Sequence, residues 1–382
     1  MRPITEEKFL DLVEFINEMN LDGLMIMDSE VARNVNLRYL SGHPNDAIVI
    51  ITSNGESILI PWDINLAEKH SEVDEILDPS NFQYNSSLVL KNLIEERWNK
   101  TLYKMGVHEN TPYGTILKLE SLIPSITFFK EPRKITQKLR KLRATKSEYE
   151  LKQLKKAAEI GNKTIKDIQR FVMNANKDTE NDLSFLVRKK MSEYGAEDIA
   201  FESLVANSLR SHEIHCHPPS TNQQFAKNGF ALIDFGAKYE GYHSDITIPI
   251  CFGEFNEEEE KIYKTVLKAY EVAIDMIDID VPLWMIHEET VKIIEKEGYS
   301  MPHSLGHGLG LSEHDAPIIS RKPTDEYTLK YWNEERVQNG MVFTIEPGIY
   351  KKGIGGFRLE NDVIINNGNV EVITNSKLIK KI

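Results

Sequence analysis

Phe9, Leu12, Val13, Phe15 and Ile16 recur near every third or fourth position, the spacing of one helical face, and predict a helix from Thr5 to about Asn20. GLMIMD then reads as a strand. DAIVIITSNGESILIPW places two apolar runs around Asn54-Gly55, a pair suited to a tight turn with positive φ, so it predicts a hairpin. The short strands TLYKMGV and SITFF alternate with the helical stretches SSLVLKNLIEERW and TILKLESL, which makes residues 1–132 an α/β domain. The basic run RKITQKLRKLRATK has helical spacing and reads as a solvated linker helix over 133–146.

From Ser147 the pattern lengthens. Ser147 followed by Glu150 forms a capping-box signature, and Leu151, Leu154, Ala157, Ala158, Ile165 and Ile168 continue it as a long helix. Further helices are predicted over Asp182–Tyr194, Glu257–Ile277 and Leu283–Glu297. The acidic run Glu257–Glu260 follows Asn256, where negative charge favours a helix N-terminus. Between and after these helices lie the strands FALIDFG, DITIPICF, MVFTIEPG and FRLENDVII.

The chain has 382 residues, more than one ordinary core supports. With 46 basic and 59 acidic residues its net charge is -13, which argues against a nucleic-acid partner. Its two cysteines cannot build a disulfide framework, and the opening MRPITEEKFLDLVEF is acidic where a signal peptide is basic. No run approaches the roughly 18 apolar residues of a membrane span. The expectation is a cytoplasmic protein with no membrane partner.

The unusual acids lie inside apolar runs. Asp234 and Asp245 bracket FGAKYEGYHS, and a hairpin centred between Tyr239 and Glu240 would set them face to face. Glu346 and Glu360 are likewise centred on Gly353 in KKGIGG. Opposed, buried carboxylates need positive charge, and Arg358 is the clearest basic residue nearby, so a divalent metal site is favoured over two ordinary ion pairs. His303, His307 and His314 share the glycine-rich HSLGHGLGLSEH; the absence of HExxH and the glycines argue against a zinc-protease helix. SHEIHCHPP groups His212, His215, Cys216 and His217, but no second cysteine pair completes a structural zinc site.

LIDFGAKYEGYHSDIT, HSLGHGLGLSEHDAP, TIEPGIY and FRLEND resemble, in order, the signature segments of the pita-bread metallopeptidases, the family of prolidase, aminopeptidase P and methionine aminopeptidase. The resemblance runs from about residue 147 to the end. The first part of the chain is similar to the α/β domain of prolidases and aminopeptidase P, which methionine aminopeptidase lacks. The resemblance therefore implies an N-terminal α/β domain, then an α+β pita-bread catalytic domain over 147–382, in the proline-directed branch. The implied reaction is hydrolysis of an N-terminal Xaa-Pro bond in dipeptides or short peptides by a hydroxide bridging two divalent metals.

By the same resemblance Asp234, Asp245, His307, Glu346 and Glu360 are the metal ligands, with Asp245 and Glu360 shared between the two ions. Glu346 moves the proton, and His314 and His217 stabilise the oxyanion. His217, His303 and His314 line the substrate pocket, with His215 a competitor for the place of His217. Arg358 orients the ligand carboxylates. Manganese or cobalt is expected, and zinc or iron also suits these ligands. A homodimer is implied, its N-terminal domains capping the partner's site. Two departures stand out: Ile248-Pro249 follows Thr247 where many members have Arg-Thr, and Asn361 follows Glu360 where an acid is usual. A creatinase-like hydrolase of a non-peptide C–N bond and a non-catalytic binding protein are the alternatives, and both expect lost ligands.

Overall fold

A computed structural model describes residues 2–330 and 332–382, in two compact units, Met1–Leu142 and Arg143–Ile382. The first unit is built on a six-stranded sheet. Its strands are β1 (Gly23–Asp28), β2 (Ala47–Thr52), β3 (Ser57–Pro61), β4 (Glu75–Ile76), β5 (Tyr103–Val107) and β6 (Ile126–Phe128), in the order β4-β3-β2-β1-β5-β6. The first helix, Glu6–Glu18, starts where the Thr5 hydroxyl accepts the Lys8 N–H. The β2–β3 hairpin closes through three residues, Ser53 to Gly55, because Thr52 N–H donates to Glu56 across the neck; Gly55 takes the left-handed position at φ 86°. Ile50, Ile60, Leu90, Met105 and Ile126 belong to this unit's core. Residues Pro132–Ala144 are helical.

The second unit follows one plan twice, a pair of helices and then a sheet, antiparallel throughout except where the last strand joins the first sheet in parallel. Helices Glu148–Asn174 and Glu180–Glu193 come first, and both begin with a capping box; that of Ser147 joins its N–H to Glu150 Oε2 at 2.9 Å. The strands after them are β7 (Asp198–Ile199), β8 (Leu204–Ala206), β9 (Gly229–Phe235), β10 (Ala237–Tyr239), β11 (Tyr242–His243) and β12 (Ile246–Phe252). Helices Glu257–Asp275 and Leu283–Lys296 open the second half. They precede β13 (Gly306–Gly308), β14 (Asp315–Ile319), β15 (Val342–Ile345), β16 (Gly348–Lys351), β17 (Gly355–Arg358), β18 (Asn361–Asn366), β19 (Asn369–Val372) and β20 (Ile379–Lys381). The two main sheets run β20-β12-β9-β8 and β14-β13-β15-β18-β19. Strands β9 and β12 are buried almost throughout, which explains why FALIDF and ITIPICF read as continuous apolar runs rather than alternating ones. Phe230 and Phe357, both fully buried, meet edge to face at 5.1 Å. Among the described residues no helix is long and apolar enough to cross a membrane, and both cysteines are free and buried.

One buried ion pair ties this second unit together at the strand that follows His314. Arg143 Nε lies 3.1 Å from Asp315 Oδ2 and Nη2 lies 2.9 Å from Oδ1, with side chains only 7% and 1% exposed. Lys146 Nζ donates to the Ala316 carbonyl at 3.0 Å. Removing one member of such a pair strands the other charge. Arg143→Met should therefore cost about 3–5 kcal/mol in denaturant unfolding, and Asp315→Leu added to it should recover most of that loss. Equal destabilisation in the single and double variants would contradict this reading.

Candidate active site

The site is assembled from two hairpins and one short strand. In the first hairpin, Asp234 near the end of β9 pairs with Thr247 on β12, not with Asp245. The expected face-to-face aspartates are thus offset by two residues. The reason is the turn: Glu240 and Gly241 are its central residues, with φ 49° and 81°, because the glycine takes the second left-handed position. Asp245 lies just before β12 and is reached diagonally.

The second hairpin keeps its expected centre. Ile345↔Asn361 and Gly348↔Arg358 lie on one register line, and Glu346 and Glu360 fall between them on that line. The ladder opens there because Pro347 has no N–H to give. Glu346 N–H donates to Leu305, just ahead of β13, at 2.9 Å and Glu360 N–H to Thr247 on β12 at 3.3 Å, so each acid is anchored outside its own hairpin. His307 sits in β13 between two glycines. A Cβ on Gly306 would fall 1.9 Å from the Thr344 carbonyl, and one on Gly308 would fall 2.1 Å from that of Ala316. Only glycine lets β13 lie this close to its neighbours and bring the imidazole to the acids.

Among the described residues, Asp245, His307 and Glu360 form one group whose potential ligand atoms all lie within 4.8 Å of one another. His307 Nε2 is 3.6 Å from Asp245 Oδ2 and 3.7 Å from Glu346 Oε1. Its Nδ1 lies 3.2 Å from the Gly308 carbonyl, which can only accept, so Nδ1 carries the proton and Nε2 presents a lone pair. Asp234 joins the group through Arg358, whose Nη2 donates to Oδ2 at 2.6 Å; its other oxygen, Oδ1, is buried with no partner.

Arg358, itself buried, connects the rest. Its Nε donates to the Thr247 hydroxyl at 2.9 Å, and that hydroxyl donates to Glu360 Oε2 at 2.5 Å. Nη1 donates to the Tyr350 hydroxyl at 2.8 Å, and Tyr350 is 3.0 Å from His303 Nε2. His303 Nδ1 lies 2.8 Å from the Ser304 carbonyl, so both ring nitrogens of His303 are engaged within the protein. His303 can line a pocket through its ring but has no free nitrogen for a ligand in this arrangement.

The remaining histidines differ. His314 is exposed, its ring 4.1 Å from that of His307, and its Nδ1 is 3.6 Å from Glu313 Oε1, a hydrogen-bonded neighbour that raises its pKa. His217 is exposed and makes no hydrogen bond or ion pair to another described residue. His215 is close enough for its charge to be felt at His303. Sequence reasoning missed Thr247, Tyr350 and Asp362. Asp362 accepts the Asp245 N–H at 3.2 Å. For Thr247 the available signal was its place opposite Asp234 once the turn is set on Gly241; Tyr350 carried none.

Electrostatically the acids are crowded. Burial, then the charge of Glu360, pushes Asp245 and Glu346 well above the ordinary carboxylate range, and Asp362 likewise. Glu360 is pushed up to about 7 by burial and Asp234, against the opposing pull of Arg358 and Thr247. Burial also lowers His303 and His307 to about 4, keeping both neutral. Hard carboxylate oxygens, a neutral imidazole with a free lone pair, and an orphaned buried oxygen on Asp234 are a donor set that fits divalent cations.

Residues 152–367 match Metallopeptidase family M24, and residues 10–145 match the Creatinase/Prolidase N-terminal domain. This chain belongs to metallopeptidase family M24, with the creatinase-type N-terminal domain and pita-bread catalytic fold of the prolidases. A Xaa-Pro dipeptidase of Pyrococcus horikoshii is 29% identical over 381 residues, 98% of each chain. The prolidase structure from Pyrococcus horikoshii matches with a TM-score of 0.81 at 27% identity, over 98% of this chain and 99% of that one. The X-Pro aminopeptidase structure from Thermotoga maritima matches at 0.80 and 25% identity, over 97% and 100%.

The raised acids predict how metal-free protein responds to pH. A carboxyl that binds its proton more tightly folded than unfolded adds stability below its ordinary pKa, here 4.5, and loses it as pH rises through about 7 for Glu360. The loss from this group alone is on the order of 3 kcal/mol. Metal-stripped protein should melt at a lower temperature at pH 8 than at pH 5.5, and added manganese should remove the difference. An unchanged or higher melting temperature at pH 8 without metal would contradict the charge balance.

Proposed function

We propose that this chain hydrolyses the bond preceding proline at the N-terminus of dipeptides or short peptides, using two divalent metal ions. The observation that carries the proposal is the gathering of Asp245, His307 and Glu360 within 4.8 Å beside the unpartnered Oδ1 of Asp234. Similarity over the whole chain to a Xaa-Pro dipeptidase supports the substrate class.

In this reading Asp234, Asp245, His307, Glu346 and Glu360 would hold the ions. Manganese or cobalt suits the oxygen-rich set. When bound, the ions lower the pKa of a water and polarise the scissile carbonyl. The chain supplies the rest. Glu346, with Oε1 3.7 Å from His307 and Oε2 3.9 Å from His303 Nδ1, takes up and returns a proton. His314, exposed and held toward its protonated form by Glu313, donates to the carbonyl oxygen as charge develops there. His217 is the second donor, while His303, engaged by Tyr350 and Ser304, shapes the wall. Arg358 keeps Asp234 and, through Thr247, Glu360 in place. A homodimer in the cytoplasm completes the proposal; two free cysteines suit a reducing compartment.

Proline has no N–H, so the pocket must accept its ring without an amide donor. Ala-Pro should be cleaved at least about tenfold more efficiently than Ala-Ala, in kcat/KM, since a shaped apolar pocket discriminates by roughly 1–3 kcal/mol. Chelation should abolish both activities. Ala-Pro-Ala in the same assay distinguishes dipeptidase from aminopeptidase behaviour. No preference for proline, or full activity after metal removal, would overturn the proposal.

A further inference from the structure

The segment from Asn207 to Gln223 carries His212, His215 and His217, yet it contains no helix or strand of its own. Its position must come from bonds to other elements. Three of them are made by the carboxylate of Glu180, the first residue of the helix Glu180–Glu193 and fully buried, while Asn181 and the Val205 N–H hold the stretch from Pro219 to Asn222. Glu180 Oε1 accepts the Asn207 N–H at 2.8 Å. Oε2 accepts the Thr221 hydroxyl at 2.6 Å and the Arg210 guanidinium. One carboxylate therefore fastens both ends of the segment. Through Arg210 it also reaches the middle, because the other η-nitrogen of Arg210 donates to the carbonyl of Pro218, the residue after His217.

The opposite side of the segment is bound to the second hairpin. The Ser211 hydroxyl accepts the Gly356 N–H at 3.0 Å and donates to Phe230 at 2.7 Å. Arg358 Nη1 is 3.4 Å from the Ile214 carbonyl. The segment is thus stretched between a partly buried ion pair and the arginine of the carboxylate cluster. Burying a carboxylate and a guanidinium for packing alone gains little over apolar side chains. Here the fork geometry of Arg210 joins a side chain to a backbone carbonyl, a task that apolar packing cannot perform. What the segment presents outward is the pair His215 and His217, both exposed, while Cys216 between them is buried.

We propose that Glu180 and Arg210 are positioning residues for catalysis: their ion pair holds the His217–Pro218 segment so that His217 faces the reacting carbonyl. The inference rests on the reading of His217 given above, and on nothing about the metals.

A double-mutant cycle with Arg210→Met and His217→Ala tests it, with Ala-Pro as substrate and hydrogen–deuterium exchange of residues 207–223 as a readout independent of activity. Arg210→Met should lower kcat/KM at least about tenfold in the wild-type background, mainly through kcat, because misplaced groups lose effective concentration at the transition state. In the His217→Ala background the same change should alter it by less than about twofold, since two residues acting as one unit are not additive. Arg210→Lys keeps the charge without the fork and should recover part of the loss. Exchange across 207–223 should quicken in Arg210→Met. If that variant does not fold, Glu180→Gln/Arg210→Met removes the pair without stranding a charge and is read the same way. Equal losses in both backgrounds, no loss, or unchanged exchange would each overturn the proposal. If the wild type does not cleave Ala-Pro, the functional reading fails, and with it the catalytic role of the ion pair; the exchange arm still shows whether the clamp itself exists.

Discussion

A single guanidinium stands among more negative charge than it can balance. Arg358 is bonded to Asp234 directly, to Glu360 through Thr247, and to His303 through Tyr350. Asp245 and Asp362, both buried, and the partly exposed Glu346 lie close by, and among the described residues none of the three forms an ion pair with a lysine or arginine. Asp245 and Glu360, whose oxygens come within 4.8 Å of one another, would repel by at least roughly 3.5 kcal/mol if both were ionised, at an effective dielectric of about 20. Without further positive charge the acids must take up protons, which is the direction in which Asp245, Glu346 and Glu360 are driven. Divalent cations resolve the same conflict while leaving the acids ionised. The site is therefore under tension that a metal relieves, and the surrounding fold is what withstands that tension.

Rigid backbone supplies the resistance. Glu346 and Glu360 flank the ladder at Pro347, yet each donates its own N–H outside the hairpin, to Leu305 and to Thr247. His307 is pressed between neighbours by two glycines that admit no side chain. Among the described residues no helix contributes a side chain to the Asp245, His307 and Glu360 group; one helix sends Glu180 under the histidine-bearing segment. Charge is thus placed on strands and at their ends, while the flexible parts are held by side-chain bonds.

Much of this was legible along the chain. The Ser147 capping box, the long helix behind it and the Gly353-centred hairpin carry local signals, and each appears in the structure. The first hairpin turns one position beyond the midpoint of its aspartates, because its glycine sets the centre. The Asn54-Gly55 loop gained a residue for a similar reason, one left-handed position closing a three-residue connection. What sequence could not disclose were partners far apart in the chain. Arg358 is 111 positions from Thr247, and Arg210 is 30 from Glu180; neither pair leaves a periodic mark. That Tyr350 and Ser304 engage the two ring nitrogens of His303 also followed only from the structure.

The central claim is that protonated acids in the metal-free chain give up their protons to let divalent cations in. Calorimetric titration of manganese into metal-stripped protein, repeated in buffers of different ionisation enthalpy, measures that release directly. At pH 6 the account predicts binding of two ions per chain with net proton release, and an affinity that weakens as pH falls. Binding with no proton exchange, and with the same affinity at pH 5.5 and pH 8, would contradict it.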